Sequence, residues 1–175
     1  MLGQRARYDT VTIWLHWLTA GLVITLWLEA QIIDFFGRAA EAYMRSLHIT
    51  LGVTFALVVM FRVLWRLTAG RRPKVAENDP LERIAHATHY ILYILAGGVV
   101  ILGLLTVWMR GDSIWNLFVV PAYDPSNIRS LGRWMRGWHG TAANALLILA
   151  GLHAAAALFH HYLLRDDVLR RMLPP

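Results

Sequence analysis

Four long runs of apolar residues alternate with short charged segments along this 175-residue chain. The runs cover roughly residues 11–33, 44–67, 85–108 and 138–163, and none shows the period-two alternation of a strand. A helix crosses the hydrocarbon, about 30 Å thick, with about 20 apolar residues. The pattern therefore predicts an all-α integral membrane protein, a bundle of four transmembrane helices. The segment 109–136 contains proline and aromatic residues, and we expect it to form an ordered loop.

The composition agrees with a protein whose partner is the lipid bilayer. Hydrophobic residues make up 57% of the chain and charged residues only 16%, against roughly 25% in soluble domains. The absence of cysteine excludes disulfides, cysteine-ligated iron–sulfur clusters and haem attached through cysteine. The length predicts a single domain over residues 1–175. Since no long basic run is present, the net charge of +6 does not indicate a nucleic-acid partner.

Basic residues are distributed unequally between the two sides of the predicted bundle. The terminal segments and residues 62–84 hold eleven Lys and Arg, whereas the other connections hold six. Because basic residues favour the cytoplasmic side, both termini are expected there. Arg62 and Arg66 are expected to extend to the lipid headgroups. Asp9 and Glu29 are expected to be surface groups.

Four histidines fall inside the predicted spans, at two depths. His16 and His153 lie towards the cytoplasmic side, and His48 and His139 lie towards the outer side. His139 and His153 are 14 residues apart, so they lie within about 40° on one helix face and about 21 Å apart along it. Ionisable groups inside a membrane are costly and usually functional. The spacing predicts two stacked bis-histidine metal sites, an outer pair of His48 with His139 and an inner pair of His16 with His153.

Two imidazoles in apolar surroundings favour iron in haem b at each site, since zinc normally takes four protein ligands. Glycines near the histidines would let a porphyrin approach the backbone, although small residues also serve helix packing. These glycines are Gly21, Gly52, Gly140 and Gly151. Two alternatives stay open: each histidine is hydrogen-bonded to a neighbouring helix, or His86 or His89 replaces His16 as the inner ligand.

Several strings in the sequence resemble the bacterial cytochrome b561 family, small four-helix membrane cytochromes. The strings are IWLHWL, SLHITLG, RIAHATHY, WMRGDSIW, WHGTAANALLILAGLHAAAALFHHY and LRDDVLRRMLP, and they span nearly the whole chain. The resemblance implies two non-covalent b haems, held by the same two histidine pairs, in the bacterial inner membrane. It also implies that electrons pass from periplasmic superoxide through both haems to ubiquinone.

Such an activity would need a path for the anion and a site for the quinone. Arginines that precede His139 at helical spacing would attract superoxide to the outer haem. They are Arg129, Arg133 and Arg136, with Arg110 on the facing loop. Donors for ubiquinone would be His160, with His86, Lys74 or Arg66 nearby. The alternative is that the arginines anchor the helix to headgroups and that the histidines are ordinary interfacial residues.

Three functions are compatible with these features. The first is an enzyme, an oxidoreductase that transfers electrons from superoxide to ubiquinone. The second is a cytochrome b anchor or electron-transfer subunit of a larger dehydrogenase or hydrogenase, which often has an additional span. The third is a transporter or structural protein whose histidines relay protons, and bound haem would exclude it. The four-span pattern favours the first.

Overall fold

Four long helices make up most of the structure, a computed structural model that describes residues 7–35, 37–70, 80–114, 117–121 and 128–174. The helices are α1 (Thr10–Ile32), α2 (Arg38–Thr68), α3 (Pro80–Arg110) and α4 (Ile128–Phe159). Each contains a segment long and apolar enough to cross a membrane. The predicted all-α membrane bundle is therefore confirmed.

The helices extend beyond the predicted spans at their polar ends. α2 begins at Arg38 rather than near 44, and α4 begins at Ile128 rather than near 138. Hydropathy marks only the part of a helix that lies in hydrocarbon, whereas the backbone hydrogen bonds continue through the charged turns outside it. The connection between α3 and α4 is therefore shorter than the predicted loop 109–136.

Both ends of the chain meet at one end of the bundle, which we call the terminal end (residues 7–9, 65–70 and 160–174). The Tyr8 amide donates to the carbonyl of Arg171 at 3.4 Å. The Trp17 indole donates to the carbonyl of Met172 at 2.7 Å. The segment after α4 is thus tied to the start of α1.

A short hairpin follows α3 at the opposite end, which we call the hairpin end. α3 stops at Gly111, whose φ of 73° is left-handed and favours glycine. Strands β1 (Ser113–Ile114) and β2 (Phe118–Val119) then pair antiparallel, with Ser113 opposite Val119. The sequence did not predict this hairpin, because two-residue strands are too short to leave a periodic signal.

The buried core lies at mid-height in the bundle. The helices pack mainly as two pairs, α1 with α2 and α3 with α4. Phe55, Ala96 and Leu146 are buried and form one apolar cluster between α2, α3 and α4. Leu146 lies seven residues from both His139 and His153, about 10 Å along the helix in each direction. The core therefore separates the two depths at which the histidines lie.

Large apolar side chains cover the outside of the helices. Ile94 is 71% exposed, Ile148 65% and Leu28 52%. Such side chains are poorly solvated by water, but hydrocarbon is a suitable environment for them. The backbone is satisfied within each helix, as a membrane span requires. Lipid contact therefore completes the burial that the small protein core leaves unfinished.

Candidate functional site

His48 of α2 and His139 of α4 face each other near the hairpin end. Their ring centroids are 6.3 Å apart. Nδ1 of His48 lies 3.0 Å from Oε2 of Glu29, and Nδ1 of His139 lies 3.0 Å from the carbonyl oxygen of Val99. Each ring can donate its Nδ1–H to that oxygen. Nε2 is then the nitrogen that each ring offers to a metal.

His16 of α1 and His153 of α4 form a second pair nearer the terminal end. Their ring centroids are also 6.3 Å apart. Nδ1 of His16 lies 3.0 Å from Nη2 of Arg62, so a fixed cation lies against this ring. The two pairs share one ring separation but have neighbours of opposite charge.

His89 of α3 also approaches the terminal-end pair. Its ring centroid is 5.2 Å from that of His153, closer than the His16 ring. His86 is exposed and lies within electrostatic range of His89. The structure therefore places both His16 and His89 beside His153. The His16 ring is 6.3 Å from the His153 ring, the same separation as in the hairpin-end pair, whereas the His89 ring is closer.

Gly103 of α3 allows the ring of His139 to lie close to the α3 backbone. A Cβ at Gly103 would lie 3.2 Å from Cε1 and 3.4 Å from Nδ1 of His139. This glycine was not predicted from the sequence, since no local pattern relates it to His139. The four glycines predicted to lie near the ligands have no atom within 4 Å of such a Cβ, so close helix packing does not explain them. These are Gly21, Gly52, Gly140 and Gly151.

Three arginines come close together at the hairpin end, namely Arg45, Arg110 and Arg136. Arg136 lies within electrostatic range of both His48 and His139. Among the other predicted arginines, Arg133 is exposed, and Arg129 belongs to α4 with its side chain outside the described part of the structure.

Two of the three arginines are paired with acidic side chains. Arg110 Nε lies 3.3 Å from Asp112 Oδ2, and Arg45 Nη1 lies 3.8 Å from Asp112 Oδ1. Arg45 also pairs with Glu41 one helical turn away. A cleft of about 450 Å³ lined by Arg45, Ser46 and Asp112 opens beside these pairs. Among the described side chains, three arginines against two carboxylates leave the cluster positive, with less net charge than the arginines alone suggest.

His160 lies at the terminal end, where α4 continues into a π-helical turn, His160–Leu164. Such turns are frequent at functional sites. Nδ1 of His160 lies 2.5 Å from Oδ2 of Asp166. Burial opposes ionisation of Asp166, but hydrogen bonds from His160 and from the Val168 amide outweigh it and lower the pKa of this carboxyl. The two side chains therefore form a hydrogen-bonded acid–base pair.

The other predicted quinone-site residues lie elsewhere at the same end or outside the described residues. Arg66 and His86 lie near His89, beside the terminal-end pair. Lys74 falls in residues 71–79, which the structure does not describe. The described contacts thus place His160 against Asp166, with Arg66 and His86 grouped around His89.

The sequence as a whole matches a known family over almost its full length. The family model for prokaryotic cytochrome b561 matches residues 7–175. The chain belongs to this family. A cytochrome b561 is a membrane electron-transfer protein that binds haem b, so the resemblance inferred from the sequence strings, the electron-transfer class and haem b as a cofactor are confirmed.

This chain is similar to several individual bacterial proteins along most of their length. It is 32% identical over 171 residues to "Probable superoxide oxidase CybB" of Yersinia pestis, with 96% of each chain covered. It is 31% identical to "Cytochrome b561 homolog 1" of Escherichia coli, over 96% of this chain and 97% of that one. It is 29% identical to "Cytochrome b562" of Cereibacter sphaeroides, over 99% of each.

The histidine pairs of this cytochrome b561 suit the axial ligands of a haem. An imidazole nitrogen binds a metal at about 2 Å, so two rings on opposite sides of one ion have centroids about 6 Å apart. Both observed pairs match that separation. Within the described ranges, no group of three or more His, Cys, Asp or Glu side chains is arranged to hold a metal ion by itself, as a closed zinc site would require. The donor set therefore fits a porphyrin that supplies the other ligands itself.

Two charged residues within the predicted spans of this cytochrome b561 differ from expectation. Glu29, expected at the surface, is only 6% exposed and contacts His48. Arg62, expected to extend to headgroups, instead contacts His16 and lies over the ring of Tyr93, 5.6 Å from its centroid. Hydropathy indicates that a charge lies within a span, but the rotation of the helix decides which side it faces. The roles of Glu29 and Arg62 beside the histidines were therefore not predicted from the sequence.

Proposed function

We propose that this cytochrome b561 oxidises superoxide at the hairpin end and delivers the electrons to ubiquinone at the terminal end. The observation that carries the proposal is the pair of equal histidine sites at two depths of one membrane bundle. The relative named a probable superoxide oxidase supports the choice of donor. Two superoxide anions are oxidised to two dioxygen molecules. Ubiquinone takes up the two electrons, together with two protons from water.

Two b haems are part of the proposal, one held by His48 with His139 and one held by His16 with His153. When bound, each haem would supply a one-electron couple, and a pair of histidine ligands would keep dioxygen from binding the iron. The chain positions the ligands, because Glu29 and the Val99 carbonyl would accept hydrogen bonds from the Nδ1–H groups of the hairpin-end rings. The open space beside the glycines near these ligands supports the proposal, because a macrocycle needs such space.

At the hairpin end, Arg136 is proposed to attract superoxide, with Arg133 and Arg129 on the same helix. Arg136 lies near both histidines of this pair, and it is exposed, so an anion can reach it from water. Positive charge beside a site raises the rate at which an anion encounters it. The paired Arg45 and Arg110 contribute less, because Asp112 and Glu41 offset their charge.

At the terminal end, His160 is proposed to hydrogen-bond the quinone and to pass it a proton. Asp166 holds Nδ1 of this ring, which orients the imidazole and leaves Nε2 to face a ligand. Arg66, His86 and Lys74 stay candidates for further contacts. We also propose that this end faces the cytoplasm of the inner membrane, because residues 1–10, 62–84 and 164–175 on its side hold eleven of the 17 Lys and Arg. The single core shared by α2, α3 and α4 supports one domain over residues 1–175.

The test is to mix the purified, oxidised protein with superoxide in the absence of air and dithionite. We expect rapid appearance of the reduced b-haem absorption bands, which decay when ubiquinone is added. Superoxide dismutase in the same mixture should prevent the reduction. Haem that dithionite reduces but superoxide does not would contradict the proposal. It would instead favour a subunit of a larger dehydrogenase or hydrogenase.

A further inference from the structure

The two histidine pairs differ in the charge that lies behind one ligand of each. We propose that Glu29 and Arg62 set the order of the two haem potentials, so that an electron moves downhill from the hairpin-end site to the terminal-end site. Glu29 makes the hairpin-end potential the lower one, and Arg62 makes the terminal-end potential the higher one. This inference rests on the proposed function, namely on two b haems held by the four paired histidines.

Glu29 is placed to act on His48 alone. Its carboxylate is 6% exposed, and Oε2 lies 3.0 Å from Nδ1 of His48. The other oxygen, Oε1, is buried without a hydrogen-bond partner among the described residues. A histidine that binds metal through Nε2 donates its Nδ1–H to such a carboxylate, which orients the ring and makes it a more basic ligand. A more basic ligand stabilises the oxidised, more positive iron and lowers the potential.

Arg62 brings the opposite charge to the other pair. Its Nη2 lies 3.0 Å from Nδ1 of His16, and its guanidinium carbon lies 5.6 Å from the centroid of the Tyr93 ring. A guanidinium keeps its positive charge at every working pH. A His16 that binds iron through Nε2 would carry a proton on Nδ1, so Arg62 would act on it through its charge rather than through a hydrogen bond. A fixed cation beside His16 disfavours the more positive oxidised iron, so it would raise the potential of that site.

Other charges near the two sites do not reverse this order. Arg136 acts on the hairpin-end pair against Glu29, but it is exposed and therefore screened by water and salt. Glu29 is buried and in direct contact, where screening is weak. At the terminal end, Arg66 lies on the same side as Arg62 and adds to its effect.

The test is a spectroelectrochemical titration of both haems in full-length, haem-loaded variants. Glu29→Gln keeps the size and an acceptor oxygen but removes the charge. We expect it to raise the hairpin-end potential alone by about 59 mV, a tenfold change in the ratio of oxidised to reduced haem. Arg62→Gln should lower the terminal-end potential alone. His139→Leu, which removes the hairpin-end haem, identifies which component is which.

Glu41→Gln is the matched control, because it removes a carboxylate at the same end that pairs with Arg45 and not with a histidine. It should leave both potentials unchanged. The electron paramagnetic resonance spectrum of the oxidised hairpin-end haem should change in Glu29→Gln and not in Glu41→Gln. If Glu29→Gln loses haem, the inference is tested by whether Arg62→Gln lowers the terminal-end potential.

Potentials that do not move, or that move in the same direction in both charge variants, would overturn the inference. So would a wild-type hairpin-end potential that lies above the terminal-end one. A wild-type protein that binds fewer than two haems would instead refute the proposed function. The haem count, taken first, therefore separates the two failures.

Discussion

Four histidine side chains lie within the spans of this bundle, and we propose that they carry its chemistry. Each lies within a span, where an imidazole needs a partner, and each faces another imidazole at a ring separation of 6.3 Å. Their spacing along the sequence predicted which rings would meet, since helical period and depth are local properties. Their role as axial ligands stays a prediction.

We expect His139→Leu to lose the hairpin-end haem and to keep the other, and His153→Leu to show the reverse. Leucine removes the metal-binding nitrogen but is apolar enough to stay in the membrane. The haem-to-protein ratio after pyridine extraction should fall from two to one in each variant.

His89→Leu serves as the control, since His89 lies nearest to His153 without the separation that a metal between the rings needs. It should keep both haems. A His89 variant that loses one haem, together with a His16 variant that keeps two, would show that the terminal-end pairing is wrong.

At the scale of single elements, α4 determines the distance between the two sites. It carries His139 and His153 on one continuous helix, Ile128–Phe159, so their axial separation of about 21 Å follows from helix geometry alone. α1 and α2 then each bring one partner histidine to the matching depth. The order of the sites along the membrane is therefore a property of the elements, not of loops.

The start of α1 depends on Asp9, which the sequence analysis expected to be a surface group. Asp9 accepts hydrogen bonds from the Thr12 amide at 2.9 Å and from the Thr12 hydroxyl at 2.7 Å. It also accepts one from the Trp65 indole at 2.9 Å, which links α1 to the end of α2. The N-cap pattern Asp-x-x-Thr is local, but the contact with Trp65 exists only once the two helices pack.

Asp9→Ala is expected to lower the free energy of unfolding by about 1–2 kcal/mol, because it removes both the cap and the Trp65 contact. Asp9→Asn should be milder, since asparagine caps helices as well as aspartate does. Denaturant unfolding in detergent, followed by circular dichroism, measures both. An Asp9→Ala variant as stable as the wild type would show that the cap and its link to α2 do not stabilise α1.

For the whole molecule, charged side chains gather at the two ends of an apolar body. At the hairpin end the arginine cluster retains net positive charge after Arg45 and Arg110 pair with Asp112 and Glu41. At the terminal end, hydrogen bonds tie the segment after α4 to the start of α1. An anionic donor and a lipid-soluble acceptor would thus meet different surfaces at the two ends.

We expect the rate of haem reduction by superoxide to fall several-fold as ionic strength rises from 0.01 to 0.15 M. The screening length shrinks from about 30 Å to about 8 Å over that range, which weakens the attraction of the anion. Stopped-flow absorbance measures the rate.

Arg136→Gln should lower the rate at low salt and make it less dependent on salt. Arg170→Gln removes an arginine at the terminal end, where Arg170 pairs with Asp167, and should change neither. A rate that does not depend on salt would mean that positive charge does not guide the anion.

The four spans and the depths of the paired histidines could be predicted from hydropathy and the 3.6-residue period, which are set by residues close together in the chain. The family could be inferred from the resemblance of short sequence strings. Helix packing was needed to show that Glu29 and Arg62 turn inward to the histidines, that Gly103 admits the His139 ring, and that the hairpin brings Asp112 to Arg45. Each of these depends on how one helix is rotated against another, or on where a loop returns. Apolar faces on all sides of a membrane helix leave that rotation undetermined until the helices pack.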